Sequence, residues 1–554
     1  MKRKYILMNK VQNIVFLVLL QLVFMVSFSQ NITPVIFTDR DFCVSGDTVW
    51  FKVGLPDNLS EKGNAVHVQL EALNRNCIAL VVKEAKNNWA EGYLRIPDSL
   101  STGQYFISSF LNSQRESEIL NVVGKTLLVY NRFDSNISKI NILNYTSGQI
   151  KPDYNSRIQI NTDKLVYLPR EMVNVTLDLN SLPELKNAVV KAKLVDKLAA
   201  EVTGDYLFQY RSSDSIISPL TETNGILISG KVTDANGALQ KGVLVILSIT
   251  GEPPYLDYYY SGDGGEFHFF LKDATGKGRI VLQAISSGNE ELSIQLKENY
   301  LIRNNEIAVQ PKMLTTDQNE FAEKMIQSNF INKIFNPLVT ITKDTFSFPP
   351  RFSVPFYGIP TRRVIPDEFI DLPDFREISR ELLPGVQYRI KNDEIVLRMI
   401  NPKQNSFFAD EPLKLVNGIP VFKNNLIGEL KSVDISYIDI VYNERIFGDL
   451  RMDGILSISL YDKSNFWTNR VSGISQFSID CLQPDKIPGY INRKTNNENL
   501  PDIRQNYLWE RVPNSKPVSY SFYLSDLKGE IEISVEGFDN ENKVFKASKI
   551  IEVK

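Results

Sequence analysis

The feature that most constrains this 554-residue chain is an internal echo. The stretch FTDRDFCVSGDTVWFKVGL, residues 37–55, returns as NTDKLVYLPREMVNVTLDL, residues 161–179, at an offset of 124 from Thr38 to Thr162. Each copy opens on Thr-Asp and a basic residue, Thr38-Asp39-Arg40 or Thr162-Asp163-Lys164. A turn with an acid at the matched position follows, Asp47 or Glu171. Apolar residues then alternate: Val49, Phe51, Val53 and Leu55 in the first copy, Val173, Val175, Leu177 and Leu179 in the second. Alternation with period two marks a strand with one face in a core. The echo therefore predicts a repeated β-domain, with Val49 and Phe51 buried like Val173 and Val175.

The flanking sequence continues the theme. Short β-type runs such as AVHVQLEAL and GYLRIPDSLSTGQYFISSFL fill residues 30–130, and NAVVKAKLVD follows the second copy. Around 224–298, ILISGKVTDANGALQKGVLVILSI carries an Asn236-Gly237 turn and then Val243, Val245 and Leu247 in alternation. SGDGG at 261–265 reads as a hairpin turn feeding Phe267, Phe269 and Leu271. Strands at this spacing argue for β-sandwiches. Near 300 the period changes. Phe321, Met325, Phe330 and Ile334 predict a helix over 318–335, and TFSFPPRFSVPFYGIP is a Pro- and aromatic-rich connector. LPDFREISRELLPGV predicts a second helix, capped by Asp371 with Gly385 beyond its end. LKLVNGIPVF is strand, Asn417-Gly418 turn, strand; VDISYIDIVY and DGILSISLYD extend a small α+β unit. The tail alternates again, with a turn at Asn540–Asn542.

Length calls for several domains, since single cores seldom grow past about 250–300 residues. A net charge of −3 and pI near 5.8 give no electrostatic reason to expect nucleic acid, which requires a basic face. At the N-terminus Lys2, Arg3, Lys4 and Lys10 precede an apolar run from Ile14 to Phe28, broken by Gln21. That run is short for a span, which needs about 20 apolar residues. Ser27 and Ser29 place a signal cleavage before Gln30, an uncleaved anchor being the alternative. No transmembrane span is expected in the mature chain. Cys43, Cys77 and Cys481 are too few for a disulfide framework. Two readings stand for Cys43: a bridge to Cys77, or a buried thiol at the place Tyr167 holds in the second copy.

Four segments resemble known families. Thr38-Asp39-Arg40, Gly46-Asp47, Val49-Trp50-Phe51-Lys52 and LRIPDSLSTGQYFI are similar to macroglobulin-type sandwiches of exported Gram-negative envelope proteins. The second copy is similar too, with Pro169-Arg170-Glu171 where the pattern has Pro-Gly-Glu. Gly230-Lys231-Val232-Thr233-Asp234, Gly237 and Asp263-Gly264-Gly265-Glu266-Phe267 resemble a carboxypeptidase-regulatory-like sandwich. Residues 413–461 resemble the plug of TonB-dependent receptors, through Leu415-Val416-Asn417-Gly418-Ile419-Pro420, Ile438-Asp439-Ile440-Val441 and Asp453-Gly454-Ile455-Leu456, with Asn417 where Asp is commoner. NLPDIRQNYLWE and the tail complete the order of a multidomain envelope family. The resemblance implies a mainly β fold: tandem β-sandwich domains followed by a small α+β plug-like domain and a C-terminal β-sandwich. The expected boundaries are a signal peptide at 1–29, macroglobulin-type sandwiches at 30–132 and 133–223, a regulatory-like sandwich at 224–298, a helical, Pro-rich connector at 299–352, the plug-like domain at 353–466 and the last sandwich at 467–554.

Reactive chemistry is sparse. His67 and His268, the two histidines, sit in alternating segments of different expected domains and read as strand residues, which leaves little for a catalytic triad or a histidine metal site. No Gly-rich phosphate loop occurs. Asp39 with Asp41 has the makings of an acid–base or calcium pair but reads as a solvated turn. Cys481-Leu482-Gln483-Pro484 has Pro where a macroglobulin thioester needs its reacting Gln. No catalytic, cofactor or metal residue is therefore expected. The expected function is a non-enzymatic structural and interaction protein of the cell envelope, periplasmic or outer-membrane associated, binding a protein partner there. The alternatives are an accessory component of TonB-dependent transport and an enzyme with an unfamiliar site. A complete receptor is not expected, because 88 residues follow position 466 and a 22-stranded barrel needs more than roughly 200.

Overall fold

The computed structural model describes residues 33–554 except 57–58, 60, 62, 75, 117–118, 135–136, 145–148, 151–152, 155–157, 179–186, 212–220, 286–290, 305–307, 336–343, 350–353, 466–467, 469–472, 489–498, 514–517 and 539–543. The expected signal segment and cleavage point, Leu179 and the expected 540–542 turn lie outside these. The chain forms two units. One comprises Met1–Ser215, Tyr300–Ile341 and Asp485–Lys554, the other Ile216–Asn299 and Thr342–Pro484.

In the first unit the echo is a structural repeat to the residue. Val35–Thr38 pairs antiparallel with Thr48–Gly54, Thr38 opposite Phe51; Gln159–Thr162 pairs with Met172–Asp178, Thr162 opposite Val175. Both registers coincide under the same 124-residue offset. Val49, Phe51, Val173 and Val175 are all buried, as the alternation predicts. Removing a ring such as Phe51 from water contributes about 1.5–3 kcal/mol. The polar parts of the motif hold the turn. The carboxylates of Asp39 and Asp163 accept from Trp50 N at 3.0 Å and Asn174 N at 2.9 Å. Asp47 and Glu171 accept from the amides three residues earlier, Val44 at 3.1 Å and Leu168 at 2.9 Å. Position 46 is Gly at φ 83°, and its match Arg170 takes φ 63°. That left-handed geometry is unfavourable for a residue with a Cβ. Arg170 is held there by a two-point pair to Asp526, at 2.5 and 2.7 Å.

The larger sheets repeat as well. Around the first copy the order is Cys77–Glu84, Ala65–Glu71, Gly103–Leu111, Ile119–Tyr130, with Phe42–Val44 parallel to the last. Around the second it is Asn506–Arg511, Ala188–Leu194, Gly529–Phe538, Val544–Val553, with Val166–Tyr167 parallel to the last. Val518–Tyr523 completes the small sheet beside Met172–Asp178. The C-terminal strands thus lie in a sandwich, and the sandwich is that of the second copy. Segments 133–223 and 467–554, expected as two domains, share their sheets. The matched hairpin takes residues 72–76 in the first sandwich, and in the second the chain runs through 195–505 before closing it. Asp205–Arg211 joins the first sandwich, alongside Ile119–Tyr130, and Ile302–Arg303 adds to its edge. The helix predicted at 318–335 spans Thr316–Phe335.

The second unit holds the sheets of 224–298 and the α+β region. Gly225–Asp234 lies between Glu266–Lys272 and Leu292–Leu296. Leu244–Ile249 lies between Tyr255–Tyr260 and Lys277–Ile285, and Ile474–Asp480 pairs with the last. Val243, Val245, Leu247, Phe267, Phe269 and Leu271 are buried as expected, and residues 261–265 make the turn before Glu266–Lys272. The α+β region orders Arg362–Val364, Ile435–Val441, Ile455–Leu460, Leu413–Val416 and Ile419–Pro420. Its helix is Phe375–Leu382, burying Phe375, Ile378 and Leu382. The cap is Asp374, which accepts from Glu377 N at 2.9 Å, and not Asp371 as expected. An N-cap must sit one residue outside the helix to reach its third amide, and Asp371 is a turn too early.

Candidate functional site

Each residue singled out by chemistry has a structural post. Asp39 also accepts from Asn506 Nδ2 at 2.8 Å and from the Arg40 guanidinium. Asp41 pairs with Lys193 and stands 3.8 Å from Lys191. The two are thus not the solvated pair that was expected; Asp39 is buried and both are engaged in the fold. His67 is buried on Ala65–Glu71, stacked 5.1 Å from Phe110. His268, on Glu266–Lys272 in the other unit, meets the Tyr259 ring edge-on at 5.8 Å, and burial pushes its pKa down. Among the described residues no group of three or more His, Cys, Asp or Glu is placed to hold a metal ion.

Cys43 and Cys77 are both present as thiols. Three strands separate theirs in the sheet, roughly 19 Å at ~4.8 Å per step, and a disulfide needs Cα atoms within about 7 Å. Burial pushes the Cys43 thiol well up, which fits the buried-thiol reading. Cys481 is buried too, its thiol pushed up to about 12 by burial first and by Asp480 second. That leaves little thiolate for nucleophilic work.

Among the described residues two concavities stand out, neither anticipated. The first, about 620 Å³, lies in the first unit among strands of both sandwiches and is lined by charge. Lys193 stands 3.3 Å from Glu532, Lys191 2.9 Å from Glu536, Lys125 3.1 Å from Glu536 and 3.4 Å from Asp205, and Lys546 2.8 Å from Glu532. Burial works against every charge here. Against that burial, Lys193 and Lys546 bring the Glu532 carboxyl down to about 2, and the lysines around Glu536 hold it well below its ordinary value. Burial prevails on Lys191 and Lys193, lowering both. With carboxylates and ammoniums matched, the network joins the sandwiches and offers a ligand little unspent charge. The sequence shows only that Lys191 and Lys193 share one strand face and that Glu532 and Glu536 share another; the pairing of the two strands brings them together.

The second concavity, about 390 Å³, lies in the second unit. Its walls are rings and prolines: Pro253, Tyr255, Phe346, Phe348, Phe356 and Phe447. Tyr255 meets Phe348 edge-on at 4.9 Å, and Phe356 meets Phe447 at 5.6 Å. The four Phe rings and Tyr255 are only partly buried. Glu252 and Asp257 add carboxylates to the lining. Rings with one wet side beside acidic groups suit an apolar segment that carries positive charge. The only sequence signal was the Pro- and aromatic-rich connector, which supplies Phe346, Phe348 and Phe356.

The Asn417-Gly418 turn forms as expected, at φ 52° and 82° between Val416 and Ile419. Asn417 Nδ2 donates to Asp462 O and Asn465 Oδ1, both at 2.8 Å, and its Oδ1 accepts from Leu460 N. An aspartate lacks those donors, which accounts for the asparagine.

No protein-family profile matches this chain, and no curated protein sequence matches it. Solved structures align along most of it. A Salmonella alpha-2-macroglobulin reacted with methylamine is 9% identical, covering 94% of this chain and 39% of its own, at a TM-score of 0.22. A trypsin-activated alpha-2-macroglobulin from Escherichia coli is 9% identical over 94% and 41%, also at 0.22. Dimeric latent PorU from Porphyromonas gingivalis is 11% identical over 48% and 33%, at 0.16. The chain thus spans about two-fifths of the macroglobulins' length. The mainly β description rests on the strand pairing above, since scores at this level carry no argument.

Proposed function

We propose that this chain is a non-enzymatic structural and interaction protein of the cell envelope, exported by its N-terminal signal, that binds an outer-membrane or periplasmic protein. The aromatic cleft carries the reading. It sets partly exposed rings beside carboxylates on a sheet scaffold, as a docking site for an apolar, basic segment requires. The charged groups of the repeated motif are meanwhile taken up in turns and ion pairs, which supports a scaffold role for the sandwiches.

The test is affinity purification of the tagged chain from detergent-solubilised envelopes, with a Phe348→Ala, Phe356→Ala variant beside the native protein. Truncating aromatic anchors should cost about 2 kcal/mol or more, roughly 30-fold in affinity, and deplete the partner. Undiminished recovery by the variant overturns this use of the cleft. The plug-like sequence of 413–461, with its Asn417-Gly418 hairpin, favours a second reading, an accessory role in TonB-dependent transport. Recovery of a barrel protein that depends on this segment supports it; recovery of partners without any barrel counts against it.

A further inference from the structure

The two copies of the repeated motif differ in what covers their turns. In the first copy the apolar turn residues Phe42 and Val44 are buried in one cluster with Ala322, Met325 and Ile326 of the helix Thr316–Phe335. Phe42 meets Phe321 edge-on at 5.7 Å, and Asn329 donates to Asp47. The motif turn is, in this chain, a seat for the apolar inner face of a helix. The matching positions of the second copy are also apolar, Val166 for Phe42 and Leu168 for Val44. Here they stand in solvent: Leu168 is 66% exposed, and Leu165, Val166 and Met172 beside it are exposed as well. Lys164 and Glu171 pair with each other across this turn.

The seated helix carries a second apolar face. Its inner face, Ala322, Met325, Ile326 and Asn329, is buried; it shares a cluster with Phe42 and Val44 of the first copy and also with core residues of the second sandwich. Phe330, Ile331, Ile334 and Phe335 follow helical spacing around the other side of its C-terminal half and are exposed, Ile334 at 70%. Contiguous exposed apolar surface of this kind marks an interaction site. An open turn and a spare apolar helix face thus occur on one molecule, and both are exposed in it.

We infer that the exposed face of this helix in one copy of the chain docks on the open turn of the second sandwich in another copy, as the inner face docks on the first turn within each copy. The two surfaces differ, so the contact is heterologous and adds copies head to tail. It goes beyond the partner binding assigned to the cleft and uses none of the cleft's residues.

Sedimentation velocity of the full mature chain over a dilution series tests this, with Leu168→Glu and Ile334→Glu as single variants and Met172→Glu as a second turn variant. All three side chains are exposed, so far-UV circular dichroism should be unchanged. The native chain should show dimers and larger species that dissociate on dilution. Each variant alone should lose them, its dissociation constant rising at least about tenfold. An equimolar mixture of Leu168→Glu and Ile334→Glu should regain a dimer and nothing larger, because one complementary pair of surfaces survives. A monomeric native chain, variants that associate as before, or a mixture that stays monomeric each overturns the proposal. So does a monomeric native chain that loses a different envelope partner on Leu168→Glu, an outcome that gives the turn to another protein.

Discussion

Thr48–Gly54 and Met172–Asp178 share a register, a turn and an inner face, yet one is interior and the other borders solvent. On the first, the outer side chains Trp50 and Lys52 are buried. Trp50 joins a cluster with Trp89, Tyr93, Val189, Trp509 and Phe538, and Lys52 pairs with Glu91 at 2.5 Å and lies over the Trp509 ring. On the second, the matching Asn174 and Thr176 are exposed. A repeated motif therefore specifies the strand and its inner face. The outer face is left to decide whether another sandwich packs there, and the residues at 50 and 174 make that decision.

The strongest way to break this comparison is truncation at the matched outer positions. Trp50→Ala should cost about 3–5 kcal/mol in urea denaturation, and Asn174→Ala less than about 0.5. Similar losses at both sites would mean that the outer faces are equivalent after all. Acid should separate the copies next. Asp41 of the first copy joins the buried lysines, whereas its match Leu165 stands in solvent. Glu532 in that network sits at about 2 when folded against an ordinary 4.5, so its pairing contributes fully above about pH 4.5 and is lost as pH falls toward 2. The contribution at stake is ~3 kcal/mol. Three of the chain's four tryptophans line the adjoining seam, so their fluorescence should shift across that window, and an unchanged spectrum would count against the network as a clamp. A smaller effect is expected at the motif carboxylates. Asp39→Ala leaves buried donors unmatched and should cost about 1–3 kcal/mol, while Asp163→Ala, at a wetter turn, should cost about 1 or less. Thermal melts of the two variants give the order, and a costlier Asp163 would reverse the reading.

Inner-face residues such as Phe51 and Val175 were legible because period two is written locally. The closing of the second sandwich was not. Asn506–Arg511 pairs with Ala188–Leu194 across more than 300 residues, and nothing local in a strand names its partner. A looser trace did exist: Ile96-Pro97-Asp98 shortly before one strand is echoed by Leu524-Ser525-Asp526 shortly before another, the two strands opening on Gly103 and Gly529. The cleft was hidden for the same reason. Phe356 and Phe447 meet only after a sheet has formed between them, and single aromatic residues in a connector carry no sign of a common site.

The hairpin that encloses residues 195–505 imposes an order in time. Synthesis runs from the N-terminus, so Ala188–Leu194 waits while those residues are made, on the order of 15–60 s at about 5–20 residues per second. Throughout that interval the strand lacks its neighbours on either side, Asn506–Arg511 and Gly529–Phe538, and offers unsatisfied amides and apolar side chains to any extended chain nearby. Bringing the ends of so long a loop together by chance is slow, and an enclosed unit that folds early shortens the search. The second sandwich is therefore the step at which a chaperone has most to protect.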